Sequence, residues 1–360
     1  MADAAESTEN ACVRTGCTRV SSQLAEPLLG TAPHARAWLL LVHPGPWPGS
    51  APTGLLDSAL ADKLELRCAA HDVRMAAVRG GPDAADTTPY VAGLTAKLAR
   101  LAPLDSQRPR GPSAQKLRAS ERETRGGAFG PETPADRLRR TAITCYVAST
   151  GPGRAWLARV PLAELKDLLD LDLGAIANGV PPATGERIDG PLYAVCTHGK
   201  RDTCCAVNGR PVHRALSRLA PGRAWEATHL GGHRFAANML VLPEGLLYGR
   251  VDTDNVGDIV ERHARGEIVL DRWRGRTAVP QPAQAAEWFA RRATGQTGVD
   301  DVALARIDGG GNRWQVDLRA GDQRLIVGVE QTATGSARLT GCAGDTADPG
   351  RWRLVSLRSA

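Results

Sequence analysis

Two short stretches rich in cysteine and histidine constrain this chain more than any other feature. The first is Cys196-Thr-His-Gly-Lys-Arg-Asp-Thr-Cys204-Cys205, which follows an apolar, strand-like run and precedes a helical segment. The second is His229-Leu-Gly-Gly-His233, directly after the next apolar run. A fold that uses both must bring the ends of two neighbouring strands together. A strand-helix-strand crossover does this, because both loops then emerge at the same end of a parallel pair.

The surrounding pattern predicts such a unit. Leu192 to Cys196 reads as a strand, Pro211 to Leu219 as a helix opened by Gly209-Arg210 and closed by Pro221-Gly222, and Ala224 to Thr228 as a second strand. A hairpin follows, Asn238 to Leu242 and Leu246 to Val251, turning at Pro243-Glu244-Gly245. Next comes an amphipathic helix, Asp252 to Arg265, capped by Asp252 or Asp254. The order β-α-β, loop, β-β-α is that of a thioredoxin-like fold.

Upstream, strands at Ala37 to Val42, Val73 to Val78 and Ala142 to Ala148 and helices at Leu55 to Ala70 and Ala163 to Leu173 make a βαβ beginning with a long interruption. Downstream, a helix from Ala283 to Arg292 precedes period-two stretches (Trp314, Val316, Leu318; Leu325, Val327, Val329) turning at Gly309-Gly310-Gly311-Asn312, a small β-rich appendage. The expected class is therefore α/β (α+β), with an N-terminal lobe at 17–185, a central domain at 186–280 and a C-terminal segment at 281–360.

Charge is unevenly spread. The chain carries a net +6, and Gln107 to Arg140 holds nine Lys or Arg against four Asp or Glu. One segment near 107–140 thus carries nearly all the imbalance, in a proline-containing stretch without apolar period that suits a surface insertion. A solvated loop is the first reading of such a patch and docking of an acidic redox partner the second; no nucleic-acid-binding module accompanies it. No run reaches the ~18 apolar residues of a membrane span, and the polar, acidic start lacks a secretory pattern, so a cytoplasmic setting is expected.

Without a secretory pattern, eight cysteines argue against a disulfide framework. Cys12, Cys17, Cys68, Cys145 and Cys342 are scattered and read as ordinary thiols. Cys196, Cys204 and Cys205 are bunched beside histidines. Thiolate with imidazole is the donor set of Zn²⁺ and of [2Fe–2S] centres in which histidines replace cysteines on one iron. Gly231-Gly232 disfavours a helical H-x-x-x-H, and Leu230 stands where zincins carry glutamate. The glycines instead allow a loop to close around a bulky inorganic group, with its N–H groups turned toward sulfide. Spacing alone does not choose between zinc and a cluster.

Asn238 to Leu270 resembles the C-terminal half of thioredoxin-like [2Fe–2S] ferredoxins: a strand, a P-x-G turn, a Tyr-Gly strand and an acidic helix. Where those proteins have Cys-x3-Cys, this chain has His229 and His233. The pattern C-x-H-G-x-R-D-x-x-C with H-x-G-G-H-R-F-A resembles the sucrase/ferredoxin-like family most specifically over Pro191 to Asp252, and more loosely from Cys17 to the Trp273 region. The resemblance implies a thioredoxin-like ferredoxin domain behind a degenerate thioredoxin-like lobe. It implies a [2Fe–2S] cluster on Cys196, Cys205, His229 and His233, an electron-transfer role and a redox partner, either a reductase or an acceptor. Cys204 stands where the family commonly has arginine. His198, Arg201, Asp202, Gly231 and Gly232 match motif positions and are expected to orient or hydrogen-bond the site.

Two other functions remain open at this level: a Cys2His2 zinc site, and a thiol oxidoreductase using Cys204 and Cys205, which lacks the usual C-x-x-C. Sucrase chemistry has no support, because glycoside hydrolysis normally needs two carboxylates across the bond and no hydrolase motif identifies such a pair.

Overall fold

The computed structural model describes residues 16–80 and 143–360; Cys12 and the basic segment at 107–140 lie outside them. A short helix α1 (Cys17–Gln23) precedes β1 (Ala37–Val42), α2 (Ser58–Ala70) and β2 (Val73–Arg79). Then come β3 (Ile143–Ser149), β4 (Trp156–Leu162), α3 (Leu173–Ala177) and β5 (Glu186–Arg187). The next group is β6 (Leu192–Cys196), α4 (Thr203–Leu219), β7 (Ala224–Ala227), β8 (Met239–Leu242) and β9 (Leu246–Tyr248). It continues with α5 (Val256–Ala264), β10 (Trp273–Arg276) and α6 (Gln281–Thr294).

Ten strands make one mixed sheet in the order β10-β9-β8-β6-β7-β2-β1-β3-β4-β5, so the α/β (α+β) expectation holds. The sheet contains one arrangement twice. In the first half, β1 and β2 are parallel across α2, β3 lies antiparallel to β1, and β4 antiparallel to β3. In the second, β6 and β7 are parallel across α4, β8 lies antiparallel to β6, and β9 antiparallel to β8. The halves meet where β2 runs antiparallel to β7, with Val78 opposite Ala227 and Arg79 opposite Glu226. The Arg79–Glu226 ion pair reinforces this seam.

Period two explains how β1 serves both faces. Trp38 and Leu40 enter a core shared by both halves, with Val78, Tyr146, Leu192, Trp225, Leu240 and Leu247. Ala37, Leu39 and Leu41 enter another beneath α2, with Leu60, Leu64, Cys145 and Val147. Strands buried on both faces read as continuous apolar runs, which is why AWLLLV is so plain in the sequence.

The C-terminal segment adds β11 (Val302–Gly310), β12 (Arg313–Ala320), β13 (Gln323–Thr332), two short strands β14 (Arg338–Leu339) and β15 (Thr346–Ala347), and β16 (Arg351–Ser359). A four-stranded antiparallel sheet, β11-β12-β13-β16, packs Val316, Leu318, Leu325, Val327 and Val329 against Ala283, Ala286 and Ala290 of α6. Among the described residues, no helix is long and apolar enough to cross a membrane.

Three expectations need correction. The helix expected at Ala163 to Leu173 is a 3-10 stretch, Leu165–Asp170, that ends as Leu171 turns extended, followed by α3, which Asp172 caps, its side chain accepting from Ala175 N–H. The helix expected from Pro211 begins at Thr203, because Asp202 supplies the N-cap, and Pro211 lies inside it at the loss of one backbone hydrogen bond. The helix expected from Asp252 begins at Val256, since the Asp252 carboxylate is engaged by the N–H groups of Asp254 and Asn255 in a preceding turn.

Candidate metal centre

Parallel pairing of β6 and β7 brings both ligand loops to one end of the sheet. Cys196 is the last residue of β6 and is 1% exposed. Six residues later Asp202 begins α4, its Oδ1 accepting from Cys204 N–H at 2.9 Å. The early start of α4 puts Cys204 and Cys205 in its first turn, where the helix dipole favours thiolate. Gly209, two turns on, lets the helix lie against the end of β6: a Cβ there would sit 2.1 Å from the Cys196 carbonyl oxygen.

After β7, Thr228 continues the seam by exchanging hydrogen bonds with Ala77 (2.8 and 2.9 Å), and His229 follows. Gly231 and Gly232 both take positive φ (96° and 70°), turning the chain back so that His233 faces His229. The rings stack, centroids 4.3 Å apart and 30° between planes. The hydroxyl of Thr18 on α1 donates to the His233 carbonyl at 3.0 Å.

A buried arginine holds this loop from below. Arg274 donates to the Gly231 carbonyl and to Asn238 Oδ1, each at 2.7 Å, and to Thr31, while Asn238 Nδ2 donates to the Gly232 carbonyl at 2.9 Å. A Cβ at Gly232 would meet that guanidinium at 2.6 Å, so the second glycine is a condition of the contact. Burial pushes Arg274 down to about 9, still charged at neutral pH. Arg234, Arg250 and Arg274 all lie over the Phe235 ring, at 4.4 to 5.5 Å from its centroid. The loop therefore rests on concentrated positive charge, which favours anionic groups above it.

Two overlapping groups of donors result. Cys196, Cys205 and His229 have ligand atoms within 4.8 Å of one another, as do Asp202, Cys205 and His233. The four residues singled out from the sequence thus converge, with Cys205 common to both groups. A hydrogen bond from Cys205, joined by one from His229, holds the Cys196 thiol well below its ordinary value despite burial; the same bond and burial drive Cys205 well above. Burial, then the neighbouring His229, keeps His233 below the usual imidazole value. Nδ1 of both His229 and His233 is buried without a hydrogen-bond partner among the described residues. Two buried thiols beside two imidazoles whose Nδ1 atoms are unsatisfied form a donor set for a soft or borderline metal, so these residues fit a Cys2His2-bound group.

The motif residues around them have distinct places. His198 is buried, with Nε2 2.8 Å from the Pro48 carbonyl and its ring edge-on to Trp47. Arg201 is exposed and, with His34, Glu65, Asp72, Arg74 and His229, lines an open cleft of about 540 Å³. Asp202 Oδ2 lies 4.0 Å from His233 Nδ1.

Two cysteines read as ordinary thiols also belong to this region. Cys17 of α1 and Cys342, between β14 and β15, pack against Cys204, so Cys204 and Cys205 diverge into different surroundings. Nothing local in the sequence signals this grouping, since its members come from positions 17, 204 and 342.

Fold and site define a mixed α/β protein with a cysteine-histidine pocket whose donor atoms could hold a metal ion. The chain belongs to the sucrase/ferredoxin-like family, which matches residues 28–275. Among curated proteins it is similar to Altered inheritance of mitochondria protein 32 of Meyerozyma guilliermondii, 32% identical over 101 residues, covering 25% of this chain and 36% of the relative. The protein of the same name from Candida glabrata is 31% identical over 96 residues, covering 22% and 31%. The matches thus span about a third of these relatives' length. No solved structure matches the chain.

Proposed function

We propose that the chain binds a [2Fe–2S] cluster through Cys196, Cys205, His229 and His233 and serves as a one-electron carrier. The observation that carries the reading is the convergence of the donors: the Cys196 and Cys205 sulfurs with His229 within 4.8 Å of one another, and His233 stacked on His229, both Nδ1 atoms without a hydrogen-bond partner among the described residues. The family's ferredoxin-like character supports the same choice. When bound, such a group supplies one-electron exchange at a potential raised by imidazole ligation.

The chain's own residues shape the rest. Asp202 fixes the first turn of α4 and so the direction of Cys205. Arg274 and the two glycines hold the histidine loop, and the buried guanidinium favours extra negative charge nearby. His198 fastens the cysteine loop to Pro48. His229 borders the open cleft and is the ligand nearest a docked partner. On this reading the partner is a reductase or acceptor presenting acidic side chains, matched to the basic stretch at 107–140.

Anaerobic purification followed by iron, acid-labile sulfide and zinc analysis tests the reading. The expected protein is brown, with iron and sulfide in equal amount, about two of each per chain. A colourless protein with zinc on the same four residues would overturn it.

A further inference from the structure

Cys17, Cys204 and Cys342 form a compact thiol cluster outside the pocket just described. Their sulfurs are 3.7 Å (Cys17–Cys204), 3.7 Å (Cys17–Cys342) and 3.0 Å (Cys204–Cys342) apart. Among the described residues Asp202 joins the group, all four ligand atoms lying within 4.8 Å of one another. We propose that Cys17, Cys204, Cys342 and Asp202 form a second, structural metal site for Zn²⁺ that clamps both outer segments of the chain onto the family domain.

Geometry supports the metal. Tetrahedral zinc with Zn–S of about 2.3 Å sets its sulfurs about 3.8 Å apart, and two of the three separations are already there. The third needs Cys342 to move outward by a little under 1 Å, and Cys342 is the half-buried member, on the loop between β14 and β15. Three thiolates and a carboxylate make a soft-to-borderline set suited to zinc. Binding replaces three S–H bonds with Zn–S bonds and releases the three protons to solvent, with no change of oxidation state.

The surroundings are built around the same point. Asp202 Oδ2 accepts from Cys342 N–H at 2.8 Å and Oδ1 from Cys204 N–H at 2.9 Å, so one carboxylate orients two of the three thiols. Ala236 and Leu339 enclose the sulfurs, and Cys17 and Cys204 are at most 1% exposed. Cys17 and Cys342 both lie outside residues 28–275, the part of the chain that matches the family. They reach the domain from opposite ends, at the one cysteine of the vicinal pair that is turned away from Cys196. A zinc ion here would replace three weak thiol contacts with strong bonds, tying α1, which covers His233, to the C-terminal segment.

The test is metal counting on the full chain, purified under reductant, with iron and zinc read separately. The expected result is one zinc per chain in addition to any iron. Cys17→Ser and Cys342→Ser should each lower zinc to about a tenth or less while leaving iron unchanged, and Cys68→Ser should change neither. Zinc retained in both Cys17→Ser and Cys342→Ser, or zinc lost only with Cys196→Ser, would overturn the site. So would a zinc-free chain, whether of full mass or lighter by one disulfide between Cys204 and Cys342. Because iron is counted independently, failure here is distinct from failure of the cluster reading.

Discussion

The two halves of the large sheet share strand order and direction yet differ in chemistry. β6 ends on Cys196 and β7 is followed by Thr228 and His229; β1 is followed by His43-Pro44-Gly45-Pro46-Trp47, and β2 ends on Arg79, before Gly80. The first half's described cysteines, Cys68 and Cys145, sit in the core beneath α2, where burial pushes their thiols up to about 11 and about 12. Cys196, equally buried, is held low by its hydrogen-bonded neighbours. Burial alone makes a thiol inert, whereas burial beside hydrogen-bonding partners favours its thiolate, the form that binds metal. The scaffold is common to both halves, and the candidate site is built from what one of them hangs from its strand ends.

Exchanging sulfur for oxygen attacks this contrast most severely. Cys196→Ser or Cys205→Ser should abolish iron binding, since hydroxyl is a poor replacement for thiolate. Cys145→Ser and Cys204→Ser should retain it, as iron analysis of the purified variants would record. Iron kept by Cys205→Ser and lost by Cys204→Ser would move the ligand to the other member of the vicinal pair.

A core truncation in the first half should separate stability from chemistry. Leu64 is fully buried under the sheet, and Leu64→Ala should lower unfolding free energy by about 2–5 kcal/mol. The visible spectrum of the folded fraction should not change. A shifted spectrum would show that the first half sets the geometry of the site as well as supporting it.

Alkaline pH sharpens the thiol comparison. The Cys68 thiol rises from 9.0 to about 11 on folding, so between those values the unfolded chain has lost a proton that the folded chain keeps. Stability must therefore fall as pH rises through that window, by about 2–3 kcal/mol for this group. Cys68→Ala should flatten the fall in denaturant unfolding compared at pH 8.5 and 11, and equal slopes would remove Cys68 from the alkaline response.

The smallest effect concerns how the helix of each half approaches its sheet. In the first half α2 stands off on leucines; in the second α4 touches the strand end through Gly209. Alanine there gains up to about 1 kcal/mol in helix propensity but forces a clash with backbone costing about 1–3 kcal/mol, so Gly209→Ala should be net destabilising by about 1 kcal/mol and perturb the spectrum. Gly257→Ala in α5, where a Cβ meets nothing within 4 Å, should raise the melting temperature instead.

The apolar runs made most of the strands legible, and the punctuation around them most of the turns. Where the reading failed, a local signal had two meanings. Gly209-Arg210-Pro211 resembles a helix start because proline favours a first turn, yet Gly209 serves close packing and Asp202 is the cap. The four pocket residues were legible because both pairs follow apolar strands within one short stretch. Arg274 was not, because a lone arginine in a strand carries no sign that it will be buried under a loop forty residues earlier. Cys17 and Cys342 were not, because closing a separation of 325 positions depends on the whole fold. The repeated half was legible only through the family resemblance, as a degenerate lobe, because its two copies share strand order and apolar pattern rather than residue identities.

The span of the two cysteine groups also sets an order of events during synthesis. All four pocket residues lie between Cys196 and His233, whereas Cys17 must wait for Cys342. At roughly 5–20 residues per second, the ribosome needs roughly 5–20 seconds to pass from His233 to Cys342. Throughout that interval Cys17 and Cys204 exist without their third partner, on a nascent chain whose pocket sequence is already out or emerging. The Cys17 and Cys204 thiols thus spend that interval as an unfinished surface, and only at the end form a closed one.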